Sequence, residues 1–377
     1  MINQVIIMKN FSKKALFPIK LAAALLSAWY CLTETESTKT AVSEALSRCL
    51  NTIVPSLYAM LIISGFLIKS GIIDAVPLFF KRAGKILFGM DGSIYPIFIF
   101  SMFAGYPVGA KMLCSEYRSG SISKRHAELL SGICYGAGPA FIFGCISGQL
   151  YSSPTAGRII ILSTTASNIL LAFAVSFLIR HSTAESSRRR SIDISGNTLT
   201  ECILSGGRSM TNICFMIIAF SVIASVLKDY GIISAAGAFL SELSGIDADS
   251  SEQLLSAFLD VTSVNGLPRG DYTLLPYICA LSSFGGICVI FQIAAVTSGC
   301  YSLKPLIFLR LAAAVLSFFI CNSIMPFMLK EEVLAVSTFN AGAYKSGSPV
   351  PSVMLIIMTF MLFCEYSRQS DARHSQK

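Results

Sequence analysis

Long apolar runs separated by short polar segments dominate the chain. A helix that spans a bilayer needs about 20 mostly apolar residues. Runs at about 15–32, 52–70, 127–150, 157–180, 209–228, 272–298, 304–328 and 350–367 meet that length. Two further apolar stretches, 93–112 and 253–271, are interrupted. "FAGYPVGAK" (Phe103 to Lys111) breaks the first, and "NGLPRG" breaks the second. Glycine and proline weaken or stop helices, and lysine is costly near hydrocarbon. Each stretch therefore reads as a hairpin that enters and leaves the bilayer on one side.

Loop charge supports that reading. Counting both stretches as hairpins places Lys81, Arg82 and Lys85, then Arg118, Lys124 and Arg125, then Arg188, Arg189 and Arg190 on one face. Cytoplasmic loops carry such an excess of positive charge. The opposite segments, 33–51 and 229–252, are acidic, with Glu34, Glu36, Glu44, Asp229, Glu242, Asp247, Asp249 and Glu252. If only the first stretch crossed fully, Arg188–Arg190 would face outward. The run at 15–32 follows Lys9, Lys13 and Lys14 and precedes "TETESTKT", which offers no clear cleavage site. It is expected to be an uncleaved first span, and both termini are expected in the cytoplasm of a multi-pass integral membrane protein.

Composition agrees. Of 377 residues, 54% are hydrophobic and 13% charged, about half the charge of a soluble domain. Lipid is thus the expected partner for much of the surface. The net charge of +8 lies in short clusters beside apolar runs, so it is assigned to topology and no nucleic acid is expected.

An internal repeat organises the spans. "NTIVPSLYAMLIISGFLIKSGIIDA" (51–75) aligns with "SMTNICFMIIAFSVIASVLKDYGIISA" (209–235), a span followed by a polar break around Gly-Ile-Ile. An amphipathic stretch, an interrupted segment and two further spans follow in each half. Repeat A covers 51–180 with hairpin 93–112, and repeat B covers 209–328 with hairpin 253–271. A cytoplasmic basic linker, 181–208, joins them. Each half has an odd number of crossings, so the second lies inverted. The expected fold is an all-α polytopic membrane protein of about eight transmembrane helices plus two re-entrant hairpins arranged as an inverted repeat. Interrupted segments at matching positions of inverted repeats point to a carrier's binding site, because freed backbone groups are tolerated in lipid only against protein or a wet cavity.

Candidate substrate contacts follow. In the first hairpin Gly105 and Gly109 permit close approach, Pro107 removes an N–H, and Tyr106 is a flat neighbour. Lys111 either attracts an anion or snorkels to the cytoplasmic face, and both readings stand open. In the second, "LDVTSVNGLPRGD" offers Asp260, Thr262, Asn265 and Arg269. Asp260 is an ionisable group in an apolar setting. Arg269 either forks onto a carboxylate or clamps Asp260 or Asp271. The spans after the hairpins add Gly138, Pro139 and the midspan amides Asn168 and Gln292, which need polar partners. Gly132, Gly136, Gly144 and Gly148 fall at small-xxx-small spacing and are expected to pack against neighbouring helices.

No Walker A loop occurs, and His126, His181 and His374 lie at span ends or in the tail. No HExxH or similar metal cluster appears, so neither an enzyme nor a cofactor or metal is expected. The 12 cysteines include no CxxC pair and read as small apolar packing residues rather than disulfides.

"FAGYPVGAK", a basic loop and then "GAGPAFIFG" (136–144) resemble the YlbJ family of sporulation integral membrane proteins, which includes stage V sporulation protein SpoVV. They are also similar to the nucleoside-recognition gate region of concentrative nucleoside transporters. The resemblance runs from about 40 to 365 and implies eight spans with two opposed hairpins. It implies transport of dipicolinic acid, a small aromatic dicarboxylate, across the outer forespore membrane. The family pattern has Glu where this chain has Asp260. A nucleoside carrier and a non-transporting scaffold for spore-envelope assembly remain as alternatives, and homo-oligomerisation stays open.

Overall fold

The computed structural model describes residues 28–75, 82, 84, 94–179 and 195–336. The expected spans at 350–367 and over most of 15–32 lie outside the described residues. So do the amphipathic stretch of repeat A, nearly whole, and Arg188–Arg190 of the linker. The chain divides into the compact unit Met1–Leu329 and a second, Lys330–Lys377, whose residues beyond 336 are not described.

Among the described residues every regular element is helical. Five helices are long and apolar enough to cross a membrane: Thr35–Lys69 (α1), Pro154–Ile179 (α6, apolar through Leu178), Gly196–Asp229 (α7), the broken Tyr272–Thr297, and Lys304–Val336 (α12, apolar through Leu329). They coincide with five of the runs read from the sequence. This is a helical, multi-pass membrane protein. Its lipid-facing surface is plain from Phe215 on α7 and from Phe308 and Phe319 on α12, which stand 63%, 74% and 62% exposed. Water would not solvate such a surface, whereas acyl chains do.

α1 is longer than its apolar run. Its 35 residues extend about 52 Å at 1.5 Å per residue, against a hydrocarbon core of about 30 Å. The extra turns are the polar Thr35–Arg48, and a π-helical turn, Cys49–Ile53, marks where apolar sequence begins. α7 runs antiparallel beside α1. At one end Lys69 pairs with Glu201 at 2.8 Å, and at the other Ser37 donates to Asp229 at 2.7 Å. Tyr30 also donates its hydroxyl to Asp229. Both helices stop at a left-handed glycine, Gly71 (φ 73°) and Gly231 (φ 71°). This conformation costs glycine little and ends a helix. α8 (Ile232–Ser244) and α9 (Ala248–Leu259) follow α7, with Asp247 capping α9 through the Ser250 N–H at 2.8 Å.

The first interrupted stretch is two helices, α2 (Ile94–Ala104) and α3 (Tyr106–Arg118), with Gly105 between them at φ 94°. They fold back on each other, because a Cβ on Gly109 would sit 2.7 Å from the Ser101 Cβ. A straight helix would separate those residues by about 12 Å.

The run at 127–150, expected as one span, is also interrupted. α4 (Lys124–Ser131) ends at Gly132, an irregular stretch follows, and α5 opens at Pro139–Phe141 and continues as the π-helix Ile142–Tyr151. Gly138 at φ 73° and Pro139 at the first helical position account for the break. The break also divides the expected glycine ladder. Cβ atoms on Gly132 and Gly136 would meet Leu309 and the Met102 carbonyl at 2.4 and 2.7 Å, but one on Gly144 would meet nothing within 4 Å.

One cysteine pair departs from the packing reading. Cys114 of α3 and Cys300, after the second half of Tyr272–Thr297, form a disulfide with Cα atoms 6.0 Å apart. Their separation of 186 residues hid the pair from any spacing rule. Close packing of α3 on that helix brings them within bridging range.

Candidate functional site

Four interruptions meet inside the bundle. Gly105 touches Gly138, where a Cβ would lie 3.3 Å from the Gly105 nitrogen. Across from them, α10 (Leu275–Phe284) and α11 (Gly286–Thr297) are separated by Gly285, and Gly285 and Gly286 stand at φ 89° and 83°. The end of α9 packs on that break, since a Cβ on Gly286 would lie 3.1 Å from the Val261 nitrogen. The two pairs join through tyrosines. A Cβ on Gly285 would fall 1.9 Å from the Tyr135 hydroxyl and 3.4 Å from the Tyr106 ring.

A helix end leaves its last carbonyls without intrahelical partners. The α10 end satisfies three of them with side chains from elsewhere. Tyr106 Oη donates to the Ser282 carbonyl at 2.9 Å, and Tyr135 Oη to Phe284 at 2.6 Å. Arg310 Nη1 lies 3.4 Å from the Ser283 carbonyl. Asn168 ties the group together, donating to the Tyr135 carbonyl at 2.7 Å and accepting from Arg310 Nη1 at 2.9 Å. The guanidinium carbon lies 4.6 Å from the Tyr135 ring centre, within cation–π range.

Arg310 is fully buried, and among the described residues no ion pair reaches it. Desolvating an unpaired ion costs several kcal/mol even after relaxation. The sequence reading missed this residue by counting it as part of an apolar span. The signal was present, because "LIFLRLAAA" holds one charge well inside the run, and such a charge is a functional pointer.

The second interrupted stretch is built by its own side chains. Asp260 is 1% exposed and ends α9, where its carboxylate accepts from Thr262 N at 3.1 Å and Thr262 Oγ1 at 2.7 Å. These bonds start a 3₁₀ turn, Val261–Gly266. Asn265 donates to Gln149 of α5 at 3.1 Å. Thr262, Asn265, Gln149, Asn51, Thr52 and Arg48 line a cavity of about 230 Å³. Arg269 stands exposed on the following loop, and Asp271 instead bonds Thr273 at 2.9 and 2.6 Å. Gln292 turns to its own helix, 3.3 Å from Cys288 Sγ.

Lys111 lies apart from the junction. Its Nζ donates to Ser209 Oγ at 2.9 Å and to the Ser205 carbonyl at 3.3 Å. It lines a cavity of about 310 Å³ near the Lys69 end of α1, together with Lys69, Arg118 and Arg208, and among the described residues no carboxylate lines it. The 230 Å³ cavity meets α1 at Ser47–Ile53 and the cationic one at Ser64–Lys69. Along α1 that leaves about 17 Å between them. The structure thus brings Gly105, Tyr106, Gly109 and Gly138 to the junction, and it groups Thr262 with Asn265. It leaves Lys111, Arg269 and Gln292 in three other places.

No family model, no curated protein and no solved structure matches this chain.

Proposed function

We propose that the protein is a secondary carrier for a small anionic metabolite, working by alternating access. The observation that carries this reading is the cavity lined by Lys69, Lys111, Arg118 and Arg208, with no acidic residue in its lining among the described residues. Cations on this side also satisfy the positive-inside rule. Lys111 goes further, because it is partly buried and hydrogen-bonded within the cavity wall. A low-dielectric wall strengthens the pull of such charges on an anion.

The architecture proposed is eight spans and two re-entrant hairpins in an inverted repeat. Antiparallel α1 and α7, each stopped by a left-handed glycine in "KSGIIDA" and "DYGIISA", supports the inversion. The two cavities along α1, one towards each end, suit access from alternate faces. Resemblance to the YlbJ family supplies the proposed solute, dipicolinate, and the proposed place, the outer forespore membrane. A nucleoside is the second reading, favoured by the amides Asn51, Gln149 and Asn265 around the 230 Å³ cavity.

Uptake of radiolabelled dipicolinate and uridine into proteoliposomes tests the reading. Dipicolinate uptake above empty liposomes is expected, at least fivefold lower with Lys111→Ala at equal protein. Uridine uptake alone would favour the second reading, and no uptake of either would overturn the carrier.

A further inference from the structure

We propose that Arg310 is the anchor for the carboxylate of the transported solute, at the junction of the four interruptions. This rests on the anion-carrier reading and locates its membrane-embedded binding group.

The guanidinium has five N–H donors in a planar fork. Only Nη1 is engaged, with Asn168 Oδ1 and the Ser283 carbonyl. Nε and Nη2 are buried and have no partner among the described residues. These two nitrogens form one edge of the guanidinium, and that edge accepts a carboxylate through two parallel bonds. The Ser282 and Ser283 hydroxyls are likewise buried and without partners among the described residues, on the same turn whose carbonyls hold Tyr106 and Arg310. A charge, two donors of one guanidinium edge and two hydroxyls therefore belong to the same helix end.

A purely structural role explains less. Capping the α10 end needs one donor and a favourable charge near a helix C-terminus, and Nη1 supplies both. The free edge and the two free hydroxyls have no use in that role. The rings of Tyr106 and Tyr135 pack on each other 4.9 Å apart and give the guanidinium an apolar surround, in which a carboxylate partner gains most. A neutral solute offers single uncharged acceptors in place of the paired, charged oxygens of a carboxylate, and holds the guanidinium edge more weakly.

Equilibrium binding to the purified full-length protein in detergent tests this, with dipicolinate, isophthalate and the neutral pyridine-2,6-dicarboxamide as probes. Wild type is expected to bind both acids and not the diamide. Arg310→Gln is expected to weaken binding of the acids at least tenfold, and Arg310→Lys to restore part of it. Unchanged affinity in both variants, with wild type still binding acids, overturns the Arg310 anchor and leaves the carrier reading standing. Wild type that binds neither acid overturns both. If neither Arg310 variant yields monodisperse protein, the Ser282→Ala/Ser283→Ala double variant decides, since it removes donors and little volume. A loss of about threefold or more is expected, and an unchanged affinity overturns the proposal.

Discussion

At Gly105 the chain reverses with no side chain at all, whereas at Asp260 a side chain builds the turn. The first break combines a left-handed glycine with close approach, for α2 and α3 fold so near each other that even a methyl group has no room. The second is an extended residue whose carboxylate holds the N–H and hydroxyl of Thr262. Both interrupt a helix in an apolar setting, yet one does so by steric absence and the other by hydrogen bonding. A break made by absence is rigid and intolerant of added atoms. A break made by a polar side chain depends on a group that also carries charge, and it lies beside the polar cavity.

That difference predicts unequal responses to single changes. The largest falls at Gly109, where an added Cβ would sit 2.1 Å from the Cys134 carbonyl oxygen. The Cys134 backbone on one side and the Ser101 Cβ on the other leave little to yield, so Gly109→Ala is expected to cost about 3 kcal/mol, the upper range for overpacking. Thermal unfolding in detergent should show the drop. A variant as stable as wild type would mean that the fold-back at Gly105 is looser than described.

Asp260 should respond by a smaller and graded amount. Asp260→Ala leaves a buried N–H and hydroxyl of Thr262 unpaired, and about 2 kcal/mol is expected. Asp260→Asn keeps one acceptor for the Thr262 N–H and should lose about half as much. Equal losses in the two variants, read from the same unfolding experiment, would assign the role to the charge rather than to the capping bonds.

Much of this was legible in the chain. The runs at 52–70, 157–180, 209–228, 272–298 and 304–328 reappear as helices because length and apolarity alone decide a span. The break at "GYPVG" was visible because glycine and proline act locally. What stayed hidden depends on contacts between distant segments. The Cys114–Cys300 pair, the splitting of 127–150 and the convergence of Tyr106, Tyr135, Asn168 and Arg310 on the α10 end all need the packed bundle. Lys111 and Arg269 looked alike as cations near a break. Only packing tells them apart, with one in a cavity wall and the other exposed.

The glycines of 132–148 offer the finest test. Spacing makes Gly144 equal to Gly132 and Gly136, whereas the fold separates them. A Cβ on Gly144 meets nothing within 4 Å, since the residue lies on an open face of the π-helix. Gly144→Ala should therefore add no clash and reduce the freedom of the unfolded chain, a gain of about 0.5 kcal/mol. Gly136→Ala, which points at the Met102 backbone from 2.7 Å, should destabilise. Thermal unfolding of the two variants side by side measures this. If both destabilise alike, 127–150 packs as one continuous glycine-faced span, and the broken helix at Gly138 does not describe the folded protein.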